Sequence, residues 1–405
     1  MVTSKRLFTK LTLLPFEMVI NAIPFIHKEK VIWELSEIQK TLLQEEWRRI
    51  KRRTDGIKVN IQSNSKELVQ RIRSETKRNN KNNITRTAAY LAFYNQHPEI
   101  TWSFLAHMVS RNAGYFMSDL KGEYLPHILD EAFLEKLYDM LERGNSMIFE
   151  DAYPQLLLYE ESKISGRSLF YLSHHFNVSP FIEGVWEVYL RQEDQSFLLP
   201  VAQIINEQSH IEKALLQKEE YKQLLDSISY RLQEWLKLSQ ILFPIWPLKR
   251  SIGRNMNHFK NPNERIRLGQ HLYSTLFQPQ FVTKIHRFAN IFPHTGSRCD
   301  YDNDSFKAYY SPPEKFPKEK LSFFKTKKTK KIYSPFLLDV WKHPFHGPHP
   351  FSDWFDDEEY VIKKMKLVDK RSPSTWMTYW SGLHKIESVF LFNRYYQLLK
   401  KNRNL

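Results

Sequence analysis

Apolar residues recur along this chain mostly at spacings of three and four, the period of an amphipathic helix, and seldom in strict alternation. Over residues 28–53, Val31, Leu35, Ile38, Leu42 and Ile50 share one helical face. Arg48, Arg49, Lys51, Arg52 and Arg53 close that helix with positive charge, which suits the negative end of its dipole. Residues 54–83 are polar and finish in the run KRNNKNN, which predicts a loop or linker. Thr85 or Thr87 can then cap a short helix through Tyr94. Pro98 opens a second helix at the position proline favours, and Ala113 with Gly114 supplies a stop after Asn112. The same period predicts helices over 129–143 (stopped by Gly144), 182–192, 197–216, 218–241, 263–277, 280–290, 357–369 and 376–400. Between 300 and 334 the texture changes: Pro312, Pro313, Pro317 and a terminal lysine block break the periodicity. No solenoid-type repeat is present.

These segments predict an all-α fold, a multi-helix, bundle-like body with a smaller Pro/His/Trp-rich C-terminal region. The expected organisation is an apolar and basic N-terminal segment (1–27), a main helical domain (28–299), a Pro/Lys-rich loop or linker (300–334) and a C-terminal helical region packing on the body (335–405). Composition supports the helices, since 11 glycines in 405 residues are too few for a fold that needs many tight turns. With 41% apolar and 14% aromatic residues the chain can bury a substantial core.

Charge widens the range of partners. Sixty basic against 45 acidic side chains leave a net +15, which draws the protein toward nucleic acid, an anionic membrane face or an anionic ligand. An AT-rich coding bias produces the same excess of lysine without any purpose. The single cysteine, Cys299, excludes an internal disulfide and a thiolate zinc cluster, and it fits a reducing, cytoplasmic setting. Lys5, Arg6 and Lys10 precede an apolar run from Leu11 to Ile26, but Pro15, Glu17, Asn21 and Pro24 interrupt it. It is too short and broken to span a bilayer, and packing on the body or a peripheral membrane contact remain as its uses.

Polar chemistry concentrates on an apolar background at 84–122. Ser103, His107 and Arg111 are four residues apart and share a helical face, with Ser110 and Asn112 beside them and Asp119 beyond. A neutral His107 can act as an acid or base, Arg111 can hold a carboxylate or phosphate, and Asp119 can orient either. The same residues also suit a structural network that closes the helix. A second cluster, FPHTGSRCD at 292–300, offers His294, Ser297 and Arg298 around a Thr-Gly-Ser turn able to bind an anion, or to serve as an ordinary turn. His343, His346 and His349 imitate a metal motif, but an extended Pro-rich chain keeps them too far apart for one ion, and no metal site is expected. Glu207 and His210 supply one E-x-x-H without the second that a two-metal bundle requires. The lysines at 325, 327, 328, 330 and 331 follow Phe323 and Phe324, a pairing suited to single-stranded nucleic acid or to a solvated loop.

The segments ITRTAAYLAFYNQHPEITWSFLAHMVSRNAGYFMSDLKG, IRLGQHLYSTLF, FPHTGSRCDY, YSPFLLDVW and FSDWF resemble a family of Bacillus-type proteins known as domain of unknown function 2515. The resemblance covers most of the chain from about residue 30 and implies an uncharacterised bacterial protein. It brings no reaction, cofactor or assigned site residue. The leading expectation is therefore a helical cytoplasmic protein that binds an anionic ligand or surface through the Arg111 and Arg298 clusters. The alternatives are an enzyme using His107, Arg111 and Asp119, and a protein peripheral to the membrane.

Overall fold

The computed structural model describes residues 31–56, 63–192, 197–227, 229–230, 240–248, 250–255, 259–310, 331–342, 351–369, 374–375 and 379–391. Helices build the body: α1 (Glu37–Gly56), α2 (Ser63–Asn79), α3 (Asn83–Gln96), α4 (Thr101–Asp119), α5 (Glu131–Ser165), α6 (Pro180–Arg191), α7 (Leu198–Ile211), α8 (Glu219–Asp226), α9 (Pro262–Leu276) and α10 (Val282–Ile291). Two short helices, α11 (Leu337–Val340) and α12 (Glu358–Lys364), and a helical stretch over 379–391 follow. The expected all-α, multi-helix body is what the chain forms.

Helix α5 organises it. Its 35 residues span roughly 50 Å at the usual rise. One end buries Leu134 and Leu137 in a cluster with Leu120, Leu215 and Leu224. The other buries Phe149, Ala152 and Leu156 in the main core with Trp102, Phe104, Phe181, Trp186 and Ile205. The helix runs through both Gly144 and Pro154, so Gly144 is not the stop it resembles. A glycine inside a helix costs only about 1 kcal/mol, which burial on both sides outweighs. The actual stop is Gly166, whose positive φ of 66° reverses the chain.

Among the described residues, three short sheets, which helical periodicity does not reveal, tie segments together. β1 (Val31–Glu34) pairs antiparallel with β6 (Lys366–Asp369), bringing the C-terminal region back to the first described residues. β2 (Gln240–Ile245) and β3 (Arg250–Asn255) form a hairpin extended by β7 (Ser374–Thr375). β4 (Phe306–Lys307) and β5 (Ile332–Tyr333) form a short parallel pair.

Several expected boundaries move for identifiable reasons. The polar stretch at 54–83 contains α2 rather than only a linker, because Val69 and Ile72, one turn apart, are both buried against the core. Its charged residues take the outer face, where Arg71 pairs with Glu161 of α5 at 2.6 Å. Asn82, not Thr85 or Thr87, caps α3: its side chain accepts the Thr85 N–H, and the Thr85 hydroxyl accepts the Asn82 N–H in return. The helix expected over 28–53 begins as β1, and the one expected over 357–369 ends as β6. Within the segment read as one helix over 218–241, α8 stops at Asp226, and Gln240 and Ile241 belong to the fully buried β2. A continuous apolar run such as ILFPI fits a buried strand or a buried helix equally well by period alone.

Candidate functional site

Residues 179 to 211 positions apart meet where α3 and α4 pack on the loop at 292–300. Asn83, at the start of α3, is the joint. Its amide nitrogen donates to the Ser110 carbonyl at 2.8 Å and to the Ser110 hydroxyl at 3.1 Å, while its Oδ1 accepts from His294 Nε2 at 2.8 Å. This bond crosses α4 at Gly114, where any Cβ would collide with both Asn83 Oδ1 and His294 Nε2. Gly114 therefore does not end the helix, which continues to Asp119; its missing side chain is the gap through which the loop reaches α3.

His107 is buried. Its Nδ1 lies 2.8 Å from the Thr87 carbonyl, which only accepts, so Nδ1 carries the proton. Burial, reinforced by the Arg111 charge, pushes the imidazole down to about 3. The ring is thus neutral at physiological pH, and its Nε2 lone pair faces no partner among the described residues. His294 is the opposite tautomer. Its Nε2–H serves Asn83, and Nδ1 lies 3.4 Å from the Gly296 N–H and 3.5 Å from Asp300 Oδ2. Burial pushes it down to about 4 in spite of Asp300.

Arg111 is fully buried. Its Nε donates to the Tyr115 hydroxyl at 2.6 Å, its Nη2 reaches the Pro293 carbonyl at 3.3 Å, and Asp300 Oδ2 lies 3.6 Å from Nη2. The guanidinium lies over the Phe288 ring at 4.7 Å. Asp300 is itself held by the Thr295 N–H at 3.0 Å and hydroxyl at 2.6 Å. Arg298 grips Asp119 through two nitrogens at 2.6 and 2.7 Å and donates to the Tyr301 hydroxyl at 2.7 Å. Burial works against the Arg298 charge, but Asp119, Tyr301 and Tyr379 together hold the guanidinium in its charged form. Against this pair lies a cavity of about 50 Å³, room for a water or two.

The remaining expected site residues, Ser110, Ser297 and Asn112, bond to neighbouring side chains and backbone, as does Ser103. Ser110 exchanges a 2.7 Å bond with Thr87, and Ser103 donates to the Ile100 carbonyl. Ser297 caps the turn at 298–300 and donates to the Ser334 carbonyl. Asn112 makes a two-way clasp on β2, donating to the Leu242 carbonyl and accepting the Leu242 N–H, each at 2.8 Å. All eight expected site residues thus lie in one connected region, with His107, Arg111 and His294 inside and Asp119 with Arg298 at its edge. Sequence reading missed Asn83, Gly114 and Asp300. Asp300 is the last letter of FPHTGSRCD, and Asn83 stands in a run that reads as linker.

An open pocket of about 430 Å³ adjoins this network, lined on one side by Trp246 and Arg250 of the β2–β3 hairpin and on the other by Phe288, Phe292 and the loop from Cys299 to Ser305. Asp300 and Phe288, the two groups that flank the Arg111 guanidinium, both contribute to its wall. Cys299 is half-buried there, and burial pushes its thiol up, so it is a poor nucleophile.

Residues 78–373 match the model of a family described as protein of unknown function (DUF2515). The chain belongs to that family. In Bacillus subtilis (strain 168), the protein described as "Uncharacterized protein YppC" is 40% identical over 247 residues, 60% of this chain and 77% of that protein. No solved structure matches. The matched span contains every residue of the network around Asn83, His107, Arg111 and His294.

A second buried polar cluster lies in the main core. Asp151 of α5 accepts from Asn206 at 2.7 Å and Gln155 at 3.0 Å, and burial pushes its carboxyl up to about 7. Burial and the Asp151 charge push Glu207 up to about 8. Glu207 and His210 do not build a metal site: no group of three or more His, Cys, Asp or Glu is so placed among the described residues. His343, His346, His349, the N-terminal run and the lysines at 325–330 lie outside the described residues. No described helix is long and apolar enough to cross a membrane.

Proposed function

We propose that the protein binds a small ligand in the open pocket beside Asp300, with the buried network acting as the scaffold that sets the pocket wall. The carrying observation is the cavity itself: about 430 Å³ is the size of a small-molecule site, and its wall shares Asp300 and Phe288 with the sealed Arg111. Loop 292–300 is pinned from behind by Asn83, Thr295 and Ser297 contacts, so the pocket is pre-formed rather than assembled by the ligand. The guanidinium groups of Arg111 and Arg298 already face Asp300 and Asp119, which leaves the +15 charge as the support for a polyanion or anionic surface elsewhere on the molecule.

One observation favours an acid–base reading. The unprotonated Nε2 of His107 carries a lone pair that no described residue engages, but burial leaves it a weak base, and a ring 2% exposed meets substrate only if α4 and the 292–300 loop part.

Cys299 tests the pocket, because this single cysteine lines it. Thiol labelling of Cys299 should be slow, and at least one compound in a small-metabolite panel should slow it further in a saturable way. A labelling rate that no compound alters would sink the proposal.

A further inference from the structure

We infer that one flank of α2, together with the turn at Phe170–Phe176, is a docking face for the phosphate backbone of a nucleic-acid duplex. The helix carries two charged flanks of different kind. On the first, Arg71 pairs with Glu161 at 2.6 Å and Arg78 with Glu75 at 3.2 Å, so the charge is neutralised within the fold. On the second, Lys66, Arg73 and Lys77 follow one another at helical spacing. All three are exposed, and none forms an ion pair among the described residues. Glu67, the other carboxylate of α2, lies about 100° round the helix from that row.

The turn broadens the second flank into a face. Arg73 Nη2 donates to the His175 carbonyl at 2.7 Å, which fixes the guanidinium beside the turn, and the Ser65 hydroxyl lies 3.5 Å from that of Tyr171. The His174 and His175 rings are 3.9 Å apart, with His174 exposed. Burial first, and then positive charge, pushes both imidazoles down: Arg53 of α1 acts on His174, while His174 and Arg73 act on His175. Cations of two helices thus converge on one turn, although Arg53 is itself paired with Glu183. From Lys66 to Lys77 the row spans roughly 16 Å, a length over which duplex DNA carries about ten phosphate charges. The net charge of +15 adds long-range attraction. Gln70 and Ser74 beside the row are exposed and polar, and no exposed large apolar side chain lies on α2 or on the turn. A membrane would be held better by exposed apolar groups and a single strand by exposed rings, whereas a duplex backbone needs cations and hydrogen-bond donors. None of these residues lines the pocket beside Asp300, so the two readings stand or fall separately.

The test follows binding of the full chain to two labelled DNA duplexes of unrelated sequence by fluorescence anisotropy, from about 50 to 200 mM salt. Both duplexes should bind alike, with affinity falling steeply as salt rises. Lys66→Gln/Arg73→Gln/Lys77→Gln should weaken binding about thirtyfold, roughly threefold for each exposed contact. The slope of log affinity against log salt should become shallower by about 3. Because Arg73 also holds the turn, Lys66→Gln/Lys77→Gln is the variant with no structural bond to lose; it should weaken binding about tenfold and reduce the slope by about 2. Lys222→Gln/Lys284→Gln/Arg287→Gln removes the same charge from exposed positions on α8 and α10 and should bind nearly as the wild type does. An equal loss in that control would show attraction by net charge alone and overturn the face. Undetectable or salt-independent binding of the wild type to both duplexes would overturn it too. Tighter binding to a poly(dT) strand, or binding to phosphatidylserine vesicles without binding to the duplexes, would overturn the duplex assignment.

Discussion

Two residues decide how the buried network closes. Asn83 touches both α4, through Ser110, and the 292–300 loop, through His294, and Gly114 is the opening that lets it do so. By helix propensity alone, Gly114→Ala should stabilise by about 1 kcal/mol. Here the added methyl meets Asn83 Oδ1 and His294 Nε2 in the middle of a packed interior, and neither is the free end of a flexible chain. We expect Gly114→Ala to destabilise the protein by about 1–3 kcal/mol in urea unfolding, the range of overpacking in a close-packed core. A stabilised variant would show that the Asn83–His294 bond can shift at no cost.

Elements are joined by side chains that satisfy another element's backbone. Asn112 of α4 does this for β2, where a single amide meets both the N–H and the carbonyl of Leu242. Leu242 is buried, so water cannot replace the amide in Asn112→Ala, and two backbone groups lose their partner. The expected loss is about 2–4 kcal/mol, from two unsatisfied groups, with accelerated amide exchange at Leu242 as the local readout. Unchanged exchange there would mean that the hairpin does not depend on the clasp. A similar junction ties α3 to α5, where Arg86 pairs with Glu142 and both are buried. Removing one partner of such a pair strands the other charge, which makes these contacts specific and hard to substitute singly.

Across the whole molecule, buried titratable groups pull stability in opposite directions. His107 and His294, pushed down to about 3 and about 4, favour folding above the ordinary histidine value of 6.5, and that contribution is lost as pH falls toward 4. Asp151 and Glu207, pushed up to about 7 and about 8, favour folding below the ordinary carboxylate range, and that contribution is lost as pH rises through 7 to 8. Above 6.5 only the carboxylates act, so stability should fall between pH 6.5 and 8. Asp151→Asn keeps an oxygen to accept from Asn206 and Gln155 and cannot ionise. At pH 8 it should be more stable than the wild type by on the order of 2 kcal/mol, with the difference shrinking as pH falls toward 4. Equal urea midpoints at pH 8 would show that Asp151 ionises there without penalty.

The sequence by itself determined the class of the molecule. Helical periodicity, scarce glycine and the spacing of Ser103, His107 and Arg111 are local properties, so the helical body and the shared polar face could be read directly. The residues at 292–300 could be singled out for the same reason. What a turn or a gap does is not local. Gly114 and Gly144 look like stops because glycine stops helices in isolation, yet each lies inside a helix whose flanks are buried. α2 looks like a linker because few of its side chains, Leu68, Val69 and Ile72 among them, meet the core. The Asn112 clasp on β2 depends on a contact 130 residues apart. Tertiary structure alone decided that His107 and Arg111 are sealed, that Asp300 faces Arg111, and that the accessible chemistry beside them is an aromatic, carboxylate-bearing pocket. The physical reason is desolvation: the same side chain is a site in water and a strut in the core, and only packing settles which environment it occupies.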